Sequence, residues 1–358
     1  VARMIMAGEG YMHDVPFRNV YFTGIVRDEI GRKMSKSLGN SPDPIGLIEK
    51  YGADGVRMGM LLAAPAGNDI LFAESLCEQG RNFCNKIWNA FRLVKGWEVA
   101  ELPQPEVSRM AIKWFDAKLK ATVTEMDDLY SKYRLNEALM TAFKLFTDEF
   151  SGWYLEMVKP AYQQPIDRDT YDATLRFFDK LMKIIHPFMP FITEELYQSL
   201  PNAEETLMRA SWPKYTNDFQ FAEEAEEMEG VMDVIRSIRN LRAEMNVPPA
   251  RRTAVYMVTP AENAPAFEMA RAYLMKLAGA ENVIVQQDKN GIPKGAVNAV
   301  CAMGEAFIPL DQLIDIDKEI ERVSKEINRM KGEVARAEGK LGNPGFVAKA
   351  PEKVINEE

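Results

Sequence analysis

Leu139, Phe143, Phe146, Phe150, Trp153 and Met157 recur at spacings of four, three, four, three and four residues. A side chain returns to the same face of an α-helix about every 3.6 residues. The stripe therefore fits a helix with one apolar face and no strand, whose faces alternate at every residue. The same rhythm runs through Ile112, Phe115, Leu119, Val123, Met126 and Tyr130, and through Leu175, Phe178, Met182 and Ile185. With "AESLCEQGRNFCNKIWNAFRLVKG" they predict helices from about residue 74 to 200. Pro187 and Pro190 interrupt the fourth helix, and "ITEELYQSL" resumes it. One-sided apolar helices bury their stripes against one another, so the expectation is a bundle with the aromatics as core.

The rest of the chain has other textures. Residues 1–75 are mixed. "NVYFTGIV" is rich in aromatic and β-branched residues and predicts a buried strand. "DPIGLIEKYGADGVRMGMLLAA" predicts two short helices broken at Gly52, with Asp43 as cap and Pro44 in the first turn. Residues 221–246 predict a helix that opens on an acidic run and ends in "VIRSIRNLRAEM". There Arg236, Arg239 and Arg242 are expected on one face, with Val234, Ile238, Leu241 and Met245 on the core side. A small α/β unit is expected next, with strand "TAVYMV", helix "PAFEMARAYLMKLAG", strand "NVIVQQ" and strand "AVNAVCAMGEAFIPL". Finally, Leu313, Ile316, Ile320, Val323, Ile327, Met330, Val334, Ala337 and Leu341 alternate three and four apart, the seam of a coiled coil. "GNPG" breaks it, and "APEKVINEE" reads as the start of a returning helix that would cover the seam. The expected divisions are 1–75, 76–246, 247–310 and 311–358, and the fold class is mainly α.

Composition narrows the function. The net charge is −9, so a general basic coat for nucleic acid is excluded and any RNA contact must be a local patch. Cys77 and Cys84 lie roughly 10 Å apart along one predicted helix, too far for a disulfide. Cys301 stands alone, and a reducing cytoplasm is the simplest reading. His13 and His186 are the two histidines, and no metal-ligand spacing forms around them. His186, inside "IIHPFMPF", reads as a partly buried core residue. No apolar run reaches membrane-spanning length. "VARMIMAG" at the start reads as the middle of an element, which makes the chain a piece of something longer.

One stretch does not belong to the core pattern. In "GRKMSKSLGN", Lys33 and Lys36 lie three apart, Ser35 and Ser37 interleave, and Gly31 and Gly39 flank them. Glycines permit tight turns, hydroxyls donate hydrogen bonds, and ammonium groups act as mobile charges, so the loop suits a polyphosphate. Its glycine spacing is not that of a Walker A loop. A solvated surface loop is the alternative. Its place between a predicted strand and a capped helix favours the phosphate reading.

"KMSKS", Lys33 to Ser37, resembles the second signature motif of the class I aminoacyl-tRNA synthetases. "VARMIMAG", "RNFCNKIWNA", "WYLEMVKP", "HPFMPFITEELYQ" and the heptad helix followed by "GNPGFVAKAPEKVI" together resemble the valyl-tRNA synthetases, in their C-terminal part. The resemblance covers essentially the whole chain. It implies, in order, the end of a Rossmann-type catalytic core with a KMSKS loop and stem-contact fold, an anticodon-binding helix bundle, a small α/β unit and a coiled coil. It implies ATP, as Mg-ATP, for a substrate, and valine and its tRNA as the other partners of a longer, monomeric ligase.

By the match, Lys33, Met34, Ser35, Lys36 and Ser37 form the ATP loop. Lys36 is the main phosphate ligand, Lys33 assists, the serines hold the loop, and Asn40 satisfies loop backbone. Arg81, Asn82, Asn85, Lys86 and Trp88, with Arg236, Arg239 and Arg242, are the expected tRNA contacts. Core packing is the alternative for Trp88, and ion pairing the alternative for the arginines. No first-signature histidine motif occurs in these residues, so the chain alone is expected to be inactive. A synthetase-derived tRNA-binding module without catalysis and a coiled-coil scaffold are the competing readings. The lysine loop argues against the first, and the density of motifs outside the coil against the second.

Overall fold

A computed structural model describes all residues except 23, 65–67, 202, 216–221, 310–315 and 343–358. Leu313 of the heptad seam, most of "GNPG" and all of "APEKVINEE" lie outside the described residues. The chain is mostly helical and divides into two compact units, Val1–Glu226 and Glu227–Glu358.

The first unit begins with helix α1 (Ala2–Ala7), which continues into a π-helical turn, Gly8–Met12. Strand β1 (Val26–Arg27) leads to helices α2 (Pro44–Tyr51) and α3 (Ala53–Leu62), and strand β2 (Ile70–Leu71) follows. The Asp43 carboxylate accepts the Gly46 N–H at 3.0 Å and caps α2, and Gly52, at φ +77°, separates the two helices as the sequence predicts. The buried strand expected at "NVYFTGIV" is corrected. Among the described residues of that run only Val26 is in a strand, and Val20, Tyr21, Phe22 and Ile25 are exposed. That strand pairs with β2, parallel and for two residues, and otherwise, among the described residues, only with the start of the lysine loop through an isolated bridge from Arg27 to Lys33. Apolar content alone cannot supply a neighbouring strand.

The bundle comprises α4 (Glu74–Lys95), α5 (Glu106–Ser131), a run from α6 (Leu135–Lys144) to α7 (Leu155–Val158), α8 (Arg168–Ile185) and α9 (Pro190–Tyr197). Two short parallel strands, β3 (Val99–Ala100) and β4 (Ile166–Asp167), pair beside it, and Asp167 caps α8 through the Thr170 N–H at 2.8 Å. Between α6 and α7 the chain is π-helical over Leu145–Tyr154, where the sequence predicts ordinary α-helix. A π-helix, bonded five residues apart, lines up side chains four to five apart. Phe146, Phe150 and Tyr154 all reach full burial there, and that packing outweighs the poorer helix geometry.

α3 lies close against α4. A Cβ on Gly80 would sit 2.5 Å from Gly55 O, and one on Gly59 would sit 2.7 Å from Cys77 N, so both helix backbones need glycine at the crossing. The crossing joins the segment that carries the lysine loop to the bundle. It is reinforced by the buried Asp54, whose carboxylate accepts Ile192 N–H at 2.7 Å and Phe191 N–H at 3.3 Å. Arg57 donates to Phe188 O and Pro187 O. His186 is half-buried and bonded to Thr193 Oγ1 at 2.8 Å, and burial holds its pKa below the usual value, as befits a core histidine.

The second unit contains most of α10 (Ala222–Glu244), then β5 (Thr253–Val258), α11 (Ala264–Met269), α12 (Arg271–Leu277), β6 (Ala280–Gln286), β7 (Ala296–Cys301), β8 (Gly304–Pro309) and α13 (Ile316–Leu341). The sheet order is β6-β5-β8-β7, with β5 parallel to β6 and the β8 pairings antiparallel. Thr253, Val255 and Met257 point inward from β5 in strict alternation.

Two expectations are corrected. "AVNAVCAMGEAFIPL" is a hairpin, not one strand, turning at Ala302–Met303 with Gly304 at φ +148°. "PAFEMARAYLMKLAG" is two short helices meeting at Ala270. Neither break carries a strong turn dipeptide. Along α13, Ile320, Val323, Ile327, Met330 and Val334 stand exposed.

Candidate functional site

The lysine loop is built on a tight reversal. Arg27 and Lys33 form an antiparallel bridge, Met34 N–H donates to Val26 O, and Gly31, at φ +82°, donates its N–H to Asp28 O. Asp28 and Asn40 then close the base. Asp28 accepts the Arg32 N–H and the Arg32 guanidinium, both at 2.8 Å, and Asn40 Nδ2 at 3.0 Å. The same Asn40 amide donates to Lys33 O at 3.3 Å and accepts Ser35 N–H at 2.9 Å. Arg27 bonds Asp69 and Gly31 O, tying the loop to the β2 side.

The Asn40 amide first, then Arg32, holds the Asp28 pKa at about 2. A carboxyl with a lowered folded-state pKa contributes its full stabilisation above its ordinary value near 4. It loses that contribution only as pH falls through the lowered one. The loop base is therefore insensitive to pH around neutrality.

Inside this frame the side chains divide. Ser35 caps a single 3₁₀ turn, Lys36–Leu38, by accepting Leu38 N–H at 3.3 Å, and its Oγ lies 3.1 Å from Ser37 Oγ. Gly39, at φ +63°, ends the turn. Met34 packs against the cluster of Leu47, Tyr51, Phe72 and Cys77, so it anchors the loop from below. Lys33 and Lys36 are exposed, and neither ammonium group makes a hydrogen bond or ion pair with any described residue. The result is a pinned loop with two uncommitted ammonium groups three residues apart. Sequence reasoning missed Asp28, Arg27 and Asp69. The Asp28–Arg32 spacing was visible, but its meeting with Asn40 was not.

On α4 the expected contacts separate. Asn82, Asn85, Lys86 and Asn89 line a groove of about 420 Å³ against Ser151, Leu155 and Glu156. Asn82 and Lys86 continue into a second hollow of about 460 Å³ with Gln79, Phe143 and Asp148. Lys86 also donates to Thr147 O at 3.3 Å. Amide side chains present donors and acceptors together, the equipment for base edges. Arg81 lies elsewhere, its guanidinium 2.7 Å from Lys50 O at the end of α2. Trp88 is 42% exposed and lines neither hollow.

The three α10 arginines do not share one solvent face, which corrects the expected stripe. Arg236 is exposed and pairs with Glu229 and Asp233, each at 3.7 Å. Arg239 donates to Leu277 O at 2.7 Å. Arg242 is 8% exposed and donates to Arg251 O and Pro248 O. It lies on the side of Ile235 and Ile238, both fully buried. The arginine spacing of three residues gradually rotates around the helix, and by residue 242 it has reached the buried side.

Three family models match. Residues 1–73 match "tRNA synthetases class I (I, L, M and V)", residues 113–257 match "Anticodon-binding domain of tRNA ligase", and residues 315–358 match "Valyl tRNA synthetase tRNA binding arm". Among curated relatives, a valine–tRNA ligase of Parabacteroides distasonis is 52% identical over 361 residues, covering 100% of this chain. One of Christiangramia forsetii is 45% identical over 99% of the chain, and one of Clostridium acetobutylicum is 40% identical over 100%. The chain spans about 40% of the length of the relatives it matches. A ternary complex of an Agrobacterium radiobacter LeuRS with tRNA and LeuAMS superposes on 60% of the chain and 26% of the LeuRS chain, at 21% identity and a TM-score of 0.45.

Proposed function

Over its whole length the chain corresponds to the C-terminal region of the valyl-tRNA synthetases, and from that premise we propose that it supplies the ATP-phosphate loop and the tRNA-gripping surfaces of a cytoplasmic valine–tRNA ligase. Residues 1–75 then close a Rossmann-type catalytic core and form its stem-contact fold, and the helix bundle binds the anticodon arm. The observation that carries the reading is the loop, with Lys33 and Lys36 free on a base fixed by Asn40 and Asp28.

In the reaction proposed, a carboxylate oxygen of valine bonds to the α-phosphorus of ATP, supplied as Mg-ATP. The bond from that phosphorus to the bridging oxygen breaks, and pyrophosphate leaves with the electron pair. The valyl group then passes to the 3′ end of tRNA and AMP departs. Charge gathers on the phosphates in the first step, and a positioned ammonium stabilises it there more than in bound ATP. Lys36 has this task, and Lys33 assists. Ser35 and Ser37 shape the turn that presents Lys36, and Met34 anchors it. Asn82, Asn85 and Lys86 are positioned to meet unpaired anticodon bases and phosphate. Arg81 and Trp88 are the further contacts proposed on α4, outside the two hollows, and Arg236, paired with Glu229 and Asp233, is the one proposed on α10.

The tRNA reading is tested by filter binding of the chain to tRNA for valine across a salt series. Affinity should fall at least several-fold between about 50 and 200 mM salt, as a few phosphate contacts require. No binding at low salt would overturn the bundle as an RNA module.

The α13 seam carries a further prediction. Ile320 is 59% and Ile327 45% exposed, and each such side chain left in water forgoes roughly 1.5–3 kcal/mol of burial. The chain on its own should self-associate through this stripe. Analytical ultracentrifugation should show dimers for the native sequence and monomers for the Ile320→Glu, Ile327→Glu double variant. Monomers in both would refute pairing.

A further inference from the structure

The second unit holds a positively charged pocket of about 330 Å³, lined by Arg239, Arg242, Arg252, Lys276, Val247 and Gly279 among others. No carboxylate belongs to its lining, in a chain whose net charge is −9. At roughly 30 Å³ per water, the space holds an oxyanion and part of its hydration shell.

The cations have different standing. Arg242 is buried and held by Pro248 O and Arg251 O. Gly279, at φ +68°, would bring a Cβ within 3.3 Å of the Arg242 guanidinium, so glycine lets the backbone close over it. These carbonyl partners are neutral. They satisfy donors and leave the full charge in place, with donor capacity to spare. Burial, and then the neighbouring charge of Arg252, hold the Arg242 pKa below its ordinary value. Arg239 caps Leu277 O at the end of α12, where a cation offsets the exposed carbonyls. Arg252 is exposed and makes no hydrogen bond or ion pair with any described residue, and Lys276 is exposed at the rim.

We propose that this pocket is an oxyanion site for a phosphate of the RNA backbone, with Arg242 as its fixed floor and Arg252 and Lys276 as the groups that close on the ligand. The Arg252 guanidinium fork can match two phosphate oxygens at once, and the buried, pre-positioned Arg242, whose two carbonyl bonds both use Nη2, keeps its Nε–H and Nη1 hydrogens for the ligand and gives up little freedom on binding. The inference rests on the tRNA reading and adds a site distant in sequence from the α4 groove. Arg242 acts as floor here, not as part of an exposed stripe.

Two arms test it on the full chain. In the first, inorganic phosphate is titrated while the Arg242 Nε–Hε resonance is followed by NMR. A saturable shift is expected, abolished by Arg252→Gln. In the second, filter binding to tRNA gives the slope of log affinity against log salt for the native chain, Arg252→Gln and Lys276→Gln. Lys289→Gln serves as control, because Lys289 pairs with Glu305 and lies outside the pocket. Each pocket variant should lower the slope by about 1, and the control should leave it unchanged.

A phosphate shift without a change in the tRNA slope would overturn the RNA assignment and leave a site for free phosphate. No shift and no slope change would overturn the pocket as an anion site. If the native chain binds no tRNA at all, the tRNA reading fails, the RNA assignment falls with it, and the phosphate arm alone decides whether the pocket takes an oxyanion.

Discussion

Phe150→Ala is expected to destabilise the first unit by about 3–5 kcal/mol, the range for truncating a fully buried aromatic side chain. Phe150 is wholly buried. Its ring centroid lies 5.1 Å from that of Phe115, 5.5 Å from Phe146, 5.5 Å from Tyr154 and 4.9 Å from Phe178. It therefore ties the π-helical stretch to both α5 and α8. Alanine leaves a cavity that four other rings border, and rings locked in such contacts cannot collapse cheaply into it. Urea unfolding followed by tryptophan fluorescence, with Trp114 and Trp153 as core reporters, measures the change. Tyr162→Ala, at a side chain 89% exposed, should stay within about 0.5 kcal/mol. A loss below about 1 kcal/mol for Phe150→Ala would mean that the aromatic cluster does not hold the bundle together.

The bundle was legible because its signal is local. Phe115, Phe146, Phe150 and Phe178 repeat at helical spacing, and all are fully buried. The Asp43 cap and the break at Gly52 were legible for the same reason, since a cap acts within three residues. What failed depends on partners far away in the chain. "NVYFTGIV" has the composition of a buried strand, yet burial requires a second surface, and Val20, Tyr21, Phe22 and Ile25 lie exposed. Arg242 looks like its neighbours in a charged run. Only the carbonyls of Pro248 and Arg251 and the close approach of Gly279 make it an interior residue.

The site was half legible. The glycines, lysines and serines of the loop carry a chemical pattern that needs no partner. The latch that makes the loop a defined object joins Asp28 to Asn40 across twelve residues, and no periodicity connects them. Met34 sits in the middle of the motif yet serves the core, a division of labour that burial reveals and the motif conceals.

The loop leads to the second large effect. Lys36→Ala in a full-length ligase containing this chain should slow valyl-adenylate formation by about 10²–10³-fold, the usual consequence of removing one pre-positioned group from a developing oxyanion. The structure gives reason to expect a clean effect. Lys36 is exposed and bonds no described residue through its ammonium, while the turn that carries it is held by backbone atoms, Ser35 and Asn40. Removing the side chain takes away charge and leaves the loop frame in place. A group that acts mainly on the transition state should show its loss in kcat more than in KM for ATP. Lys33→Ala should lose less, because its backbone belongs to the bridge with Arg27 at the loop base.

ATP–pyrophosphate exchange with valine present measures that step without the later transfer to tRNA. Native and Lys36→Ala ligases, matched for their urea unfolding curves, should differ by about two to three orders of magnitude in exchange rate. Exchange at the native rate in the variant would contradict the assignment of this loop to the phosphates of ATP.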